Sequence, residues 1–146
     1  MATRSEHQTE APALEFVGMI HEGVPCRGQD LDACIKFYTE VFGLKLLPRP
    51  KALDDLGPGA WLGDSADRVQ FHLIANDTDF SPGPGARVTP AGRHTAWMVK
   101  DIDAFCARME ALGVPCQSIS SLIGAPQVFV TDPAGHTWEF QGPPKA

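Results

Sequence analysis

Four side chains hold most of the chemistry that this 146-residue chain offers: His21, His72, His94 and Glu139. Three imidazoles and one carboxylate form a mixed nitrogen and oxygen set suited to Zn²⁺, Fe²⁺, Mn²⁺, Co²⁺ or Ni²⁺. One carboxylate on a divalent ion leaves a net positive centre, which polarises a carbonyl or enolate oxygen or lowers the pKa of bound water. The separations are long, 51 residues from His21 to His72 and 45 from His94 to Glu139. No single turn or helix joins them. Taken alone, a strand histidine more often satisfies a hydrogen bond than a metal, and a carboxylate near a strand end is more often a solvated charge. What gives the four weight is where they fall.

Strand geometry sends alternate residues to opposite faces. Over 69–73 the apolar face is Val69, Phe71 and Leu73, so His72 points the other way together with Gln70. Over 137–141 Trp138 and Phe140 share one face, and Glu139 shares the other with Thr137 and Gln141. His94 falls on the side of Ala96 and Met98, and His21 on the side of Val17, Met19 and Gly23. Gln70, beside His72, is a candidate to hydrogen-bond a substrate. Trp61 is a candidate wall of the pocket, although a tryptophan in a short strand is more often core. His7 falls in the tail, and His136 in a turn signal, Asp132-Pro133-Ala134-Gly135, that favours a structural role.

The elements that must position these groups repeat. Asp30-Leu31-Asp32-Ala33 aligns with Asp101-Ile102-Asp103-Ala104, 71 residues later. Each opens a segment of helical period. Apolar residues recur at Leu31, Cys34, Ile35, Tyr38, Val41 and Phe42, and again at Ile102, Phe105, Cys106, Met109 and Leu112. Asp30 and Asp101 are expected N-caps, and Gly43 and Gly113 expected left-handed terminators. Strand-like runs follow at 44–47, 60–62 and 68–75, then at 115–119, 127–131 and 137–141. Each module therefore reads strand, helix, then two or three strands. A pseudo-twofold would make His21 and His94 mates, and likewise His72 and Glu139.

The expected organisation is a flexible tail over 1–13, a first module over 14–75, a Pro/Gly-rich linker over 76–92 and a second module over 93–142, all in one compact domain. The linker is a tether or a flap over the site. Twelve basic residues against eighteen acidic ones leave a net charge of −6 with no basic stripe, which argues against nucleic acid. No apolar run approaches the roughly 18–20 residues of a membrane span, and the polar start lacks a signal-peptide core. A cytoplasmic protein is expected. The four cysteines form no CxxC pair and are expected to be thiols, Cys34 and Cys106 on helix faces; Cys26 and Cys116, each beside a proline, are the candidates for a reactive thiol.

Taken together these residues resemble the vicinal oxygen chelate superfamily, which holds glyoxalase I, methylmalonyl-CoA epimerase, fosfomycin-resistance proteins, extradiol dioxygenases and bleomycin-binding proteins. The likeness runs over about residues 15–142 through His21, Gly23 and Pro25, the Asp30 helix to Gly43, Gly59-Ala60-Trp61-Leu62, Phe71-His72-Leu73, Arg93-His94-Thr95-Ala96 and the run from Val130 to Phe140. The Gly59–Leu62 and His72 stretches are most similar to small glyoxalase-like proteins. The resemblance implies an α+β fold of two paired βαβββ modules, their strands curving into an open mixed-sheet barrel around a metal with helices outside. It implies His21, His72, His94 and Glu139 as the metal ligands. Glyoxalase I has an acid where this chain has His72, a departure from the glutathione-dependent isomerase pattern.

Two functions remain open at this level. One is a divalent-metal-dependent enzyme on a small molecule with neighbouring oxygens, of isomerase or lyase, epimerase or oxygenase type. Its base is either Glu139 or a hydroxide on the metal. The other is a non-catalytic protein that sequesters a small molecule or antibiotic, as bleomycin-resistance proteins do. A vestigial site on an accessory subunit is a third possibility. The superfamily also implies a homodimer, some members completing the barrel across the dimer.

Overall fold

The computed structural model describes residues 19–66, 68–75, 77, 94–119 and 126–143. The expected tail over 1–13 lies outside them, as does the linker over 76–92 apart from Asp77. Strand β1 (Glu22–Cys26) leads through a 3₁₀ turn (Gly28–Asp30) into helix α1 (Leu31–Glu40), followed by β2 (Lys45–Leu47), β3 (Gly59–Gly63) and β4 (Gln70–Ala75). The second module repeats the order with β5 (Thr95–Met98), α2 (Ile102–Ala111), β6 (Gln117–Ile119), β7 (Gln127–Thr131) and β8 (Thr137–Gln141). The fold is α+β. Its two mixed four-stranded sheets run β1-β4-β3-β2 and β5-β8-β7-β6, and they do not close into a barrel. In each, the first strand pairs in parallel with the last, which only a crossover through the helix permits. Among the described residues no helix is long and apolar enough to cross a membrane.

Both helices end where the glycines stand. Gly43 and Gly113 adopt φ of 71° and 66°, left-handed values that suit a residue without a Cβ. At the other end the modules differ. Asp101 caps α2 by accepting the Ala104 N–H at 2.9 Å, whereas Asp30 caps nothing. The 3₁₀ turn ahead of α1 already places Asp30 at φ −97°, ψ −6°, but a capping side chain needs an extended backbone to reach the next turn. The expected Asp30 cap is therefore corrected. Its Oδ2 is buried with no hydrogen-bond partner among the described residues. Strand β4 starts two residues later than expected, because the Arg68 and Val69 N–H groups are taken by the Asp64 carboxylate.

The core forms where the helix side of one sheet meets that of the other. Tyr38 of α1 is fully buried and its hydroxyl donates to Asp132 Oδ2 at 2.5 Å. Around it Phe71 of β4 lies 5.2 Å from Trp138 of β8 and 5.3 Å from Trp97 of β5. Phe42 packs 5.2 Å from Phe140, whose other neighbour is Phe105 of α2 at 4.3 Å. Aromatic rings at such spacings supply both buried area and edge-to-face complementarity. The helices are tied directly as well: Arg108 of α2 donates to the carbonyls of Val41 and Glu40, which the end of α1 leaves unpaired. All four cysteines are free thiols. Cys26 is fully buried, contrary to a reactive role; Cys116 is exposed, yet partial burial and the nearby Cys106 push its thiol up.

Candidate functional site

The expected site residues gather as two pairs. His21 and His94 each stand immediately before the first strand of their module, and His72 and Glu139 lie on the strand that pairs with it. In the first module Gly23 is the β1 partner of His72, and Trp61 its β3 partner. The ring of His21, one residue ahead of β1, stacks on His72, centroids 3.9 Å apart and planes 18° from parallel. Trp61 covers the other face of His72 at 4.1 Å. His72 Nε2 lies 3.1 Å from Gln70 Oε1, so the neutral ring donates through Nε2. Burial, and then the neighbouring His21, hold His72 below the usual 6.5, which favours its neutral form. Gln70, expected to meet substrate, thus touches His72. Trp61 is half-buried and faces the histidines.

In the second module Glu139 is only 3% exposed, a depth at which a carboxylate needs partners. It has three. His94 Nε2 is 2.7 Å from Oε2, and the amides of Gln127 and Gln141 both donate to Oε1, at 2.7 and 2.6 Å. Burial pushes the carboxyl up, but the donated bonds from Gln127, Gln141 and His94 outweigh it and hold the group below 4.5. Phe129 pairs with Glu139 across the sheet and sets its ring edge-on to His94 at 5.8 Å. Gln141 shares the Glu139 face by simple alternation. Gln127 has no sequence signal of its own; it comes into place because the 132–136 turn sets the β7–β8 register that pairs it with Gln141.

The two pairs do not merge. Among the described residues no three His, Cys, Asp or Glu side chains converge closely enough to hold a metal ion. The modules meet through their helix-side faces, at Phe71 and Trp138, so the faces that carry His72 and Glu139 are turned away from that contact. A cleft of about 540 Å³ does run between β1 and the start of β5, and His94 lines it, but His72 and Glu139 do not. His136 sits on its wall and donates through Nε2 to the Pro25 carbonyl at 2.6 Å, a structural tie between modules.

Known proteins resemble the chain over most of its length. A lactoylglutathione lyase of Arabidopsis thaliana is 29% identical over an alignment of 119 residues that covers 76% of this chain; the chain spans 40% of that relative's length. Among solved structures, TnmS3, an antibiotic binding protein from Streptomyces sp. CB03234, superposes with a TM-score of 0.68 at 21% identity, over 90% of this chain and 99% of that one. A mutant of the fosfomycin resistance protein FosX from Listeria monocytogenes, complexed with Mn(II) and 1S,2S-dihydroxypropylphosphonic acid, gives 0.65 at 16% identity, over 88% of this chain and 93% of that one. One fold thus carries both a binder and a metal complex. A model of the Glyoxalase/Bleomycin resistance protein/Dioxygenase superfamily matches residues 24–140, and the chain belongs to that superfamily.

Proposed function

We propose that the chain is a glyoxalase-like, divalent-metal-dependent enzyme whose metal site is shared by two copies, His21 and His72 from one and His94 and Glu139 from the other. The observation that carries this reading is the division of the ligand set into two preformed pairs on separate sheets. The donor chemistry fits Zn, Fe, Mn, Co or Ni, since three imidazoles and one carboxylate suit any of them. Within one chain the pairs stay apart, so the fit requires a second copy. Exposed apolar side chains flank both pairs and favour such a partner: Met19, Ile20 and Ile74 in the first module, and Met98 on the His94 side of β5.

When bound, the metal would supply Lewis-acid polarisation of a substrate oxygen. The chain's own residues do the rest. Neutral His72, held between two flat rings, offers a lone pair in a defined direction. Trp61 supplies a planar apolar wall, and Gln70 a swinging amide that can turn from His72 to a substrate hydroxyl. Glu139 is the only carboxylate of the set, and the only member able to carry negative charge. A small molecule with two neighbouring oxygens fits a positive centre walled in this way.

Mixing two defective variants tests the reading. His72→Ala and Glu139→Ala should each lose metal after loading, measured as metal per chain. Subunit exchange between them should restore one intact site per mixed dimer, about a quarter of an equivalent per chain at random pairing. A monomeric wild-type chain, wild-type protein without metal at any loading, or no recovery on mixing would each overturn the shared site. Tight stoichiometric ligand binding without metal would favour a sequestering protein instead.

A further inference from the structure

Glu139 Oε1 receives two amide N–H groups from different strands, and this has consequences for any cation the site takes. We infer that Gln127 and Gln141 form a positioning clamp that closes one oxygen of Glu139 to metal and leaves the other, Oε2, as a fixed one-point ligand beside His94. The inference rests on the shared metal site proposed above.

A carboxylate oxygen has two lone pairs, and both lone pairs of Oε1 are directed at amide donors, at 2.7 and 2.6 Å. The direction of donation is settled by chemistry, because an ionised carboxylate only accepts. Among the described residues Oε2 has one hydrogen-bond partner, His94 Nε2 at 2.7 Å, which leaves its second lone pair for a ligand. The clamp is built into the sheet. Gln127 and Gln141 are direct partners across the β7–β8 ladder, and Glu139 is two residues from Gln141 on the same face. Glu139 is buried, so the carboxylate cannot exchange these donors for bulk water without moving. A hydrogen-bonded shell behind a ligand fixes its orientation and tunes its affinity for the ion.

The same geometry separates two roles of a metal-site carboxylate. A carboxylate that leaves its metal to collect a proton must rotate, and rotation here breaks two amide bonds at once. The clamp makes Glu139 a ligand that stays. Gln127 and Gln141 act only through Glu139 and touch no reacting atom.

Cobalt(II) is the probe, because its visible absorption reports coordination number. The full-length wild type, Gln127→Leu, Gln141→Leu and the double variant would be titrated with Co(II), alongside thermal unfolding of each metal-free protein. The double variant should bind Co(II) about 10- to 100-fold more weakly, the range typical for losing such supporting bonds. Its spectrum should weaken as the freed Oε1 joins the coordination, and each single variant should show a partial change. Gln141→Glu, which replaces a donor by an acceptor, should lose more affinity than Gln141→Leu. Wild-type affinity and an unaltered spectrum in both singles would overturn the clamp, whether or not the double variant folds. A wild type that binds no Co(II) would instead overturn the metal reading beneath it.

Discussion

The indole of Trp61 lies flat on the imidazole of His72, the planes within 1° of parallel and the centroids 4.1 Å apart. His21 covers the opposite face, so His72 is the middle of three stacked rings. The stack follows from register: Trp61 and His72 are direct partners on β3 and β4, the closest approach two side chains can make on one sheet face. Its effect is to fix the direction of the His72 lone pair before any ligand arrives.

Removing the indole should therefore loosen that direction without removing a ligand. Aromatic pairs of this kind are worth about 0.5–1.5 kcal/mol, which sets a ceiling of about tenfold on the loss of metal affinity in Trp61→Ala. Trp61→Phe keeps a flat face and should retain most of the affinity. A metal titration of both variants checks this, and an unchanged Trp61→Ala would leave the indole as a wall alone.

Two groups should shape the acid side of the stability curve. His72 sits below 6.5 in the fold, chiefly through burial, so the unfolded chain takes up a proton first as the pH falls. Its contribution is complete above 6.5, is lost as pH falls from there through the folded value, and then levels off. Glu139 sits below 4.5, its donated bonds outweighing burial, so its contribution is complete above 4.5 and is lost as pH falls through its folded value. Urea unfolding of the metal-free protein between pH 8 and pH 3 should show both declines. His72→Phe should flatten the upper one and Glu139→Gln the lower.

The path from residues to elements was short, and the path from elements to site was longer. Helix period, the paired glycines and the alternation around Phe71 and Trp138 announced both modules and the face of His72 and Glu139. Alternation states which face a residue occupies, but not what that face meets. The meeting of Phe71 with Trp138 depends on side-chain shapes 67 residues apart, and the faces that carry His72 and Glu139 point away from that contact. Gln127 was invisible for a similar reason, since its role comes from the register of a hairpin and not from its neighbours in sequence. Asp30 misled because one extra 3₁₀ turn, set by the residues before it, changes its backbone from cap to helix.

The bond from Tyr38 to Asp132 joins α1 to the turn before β8 across 94 residues, with both partners buried. Tyr38→Phe keeps the ring packing and removes one of the two donors that Asp132 has among the described residues, the other being the His136 N–H. Leaving a buried acceptor short of a donor costs about 1–3 kcal/mol. At about 3 °C per kcal/mol for a chain of this size, the melting temperature should fall by about 3–9 °C. Calorimetry of the variant checks it, and a change under 1 °C would mean that Asp132 finds another donor.

Gly59 offers the sharpest link between backbone and site. A Cβ at this position would run into the Leu73 carbonyl oxygen of the neighbouring strand, a backbone atom that cannot swing aside. Gly59→Ala must therefore push β3 away from β4 at one end of the ladder that pairs Trp61 with His72. Overpacking of this kind costs about 1–3 kcal/mol in stability. The displacement should also part the indole from the imidazole, so the variant should lose metal affinity together with Trp61→Ala. Combining Gly59→Ala with Trp61→Ala separates the two effects. If the stack is the only route from Gly59 to the site, the double variant binds metal no worse than Trp61→Ala; an additive loss would show that the strand shift moves His72 itself.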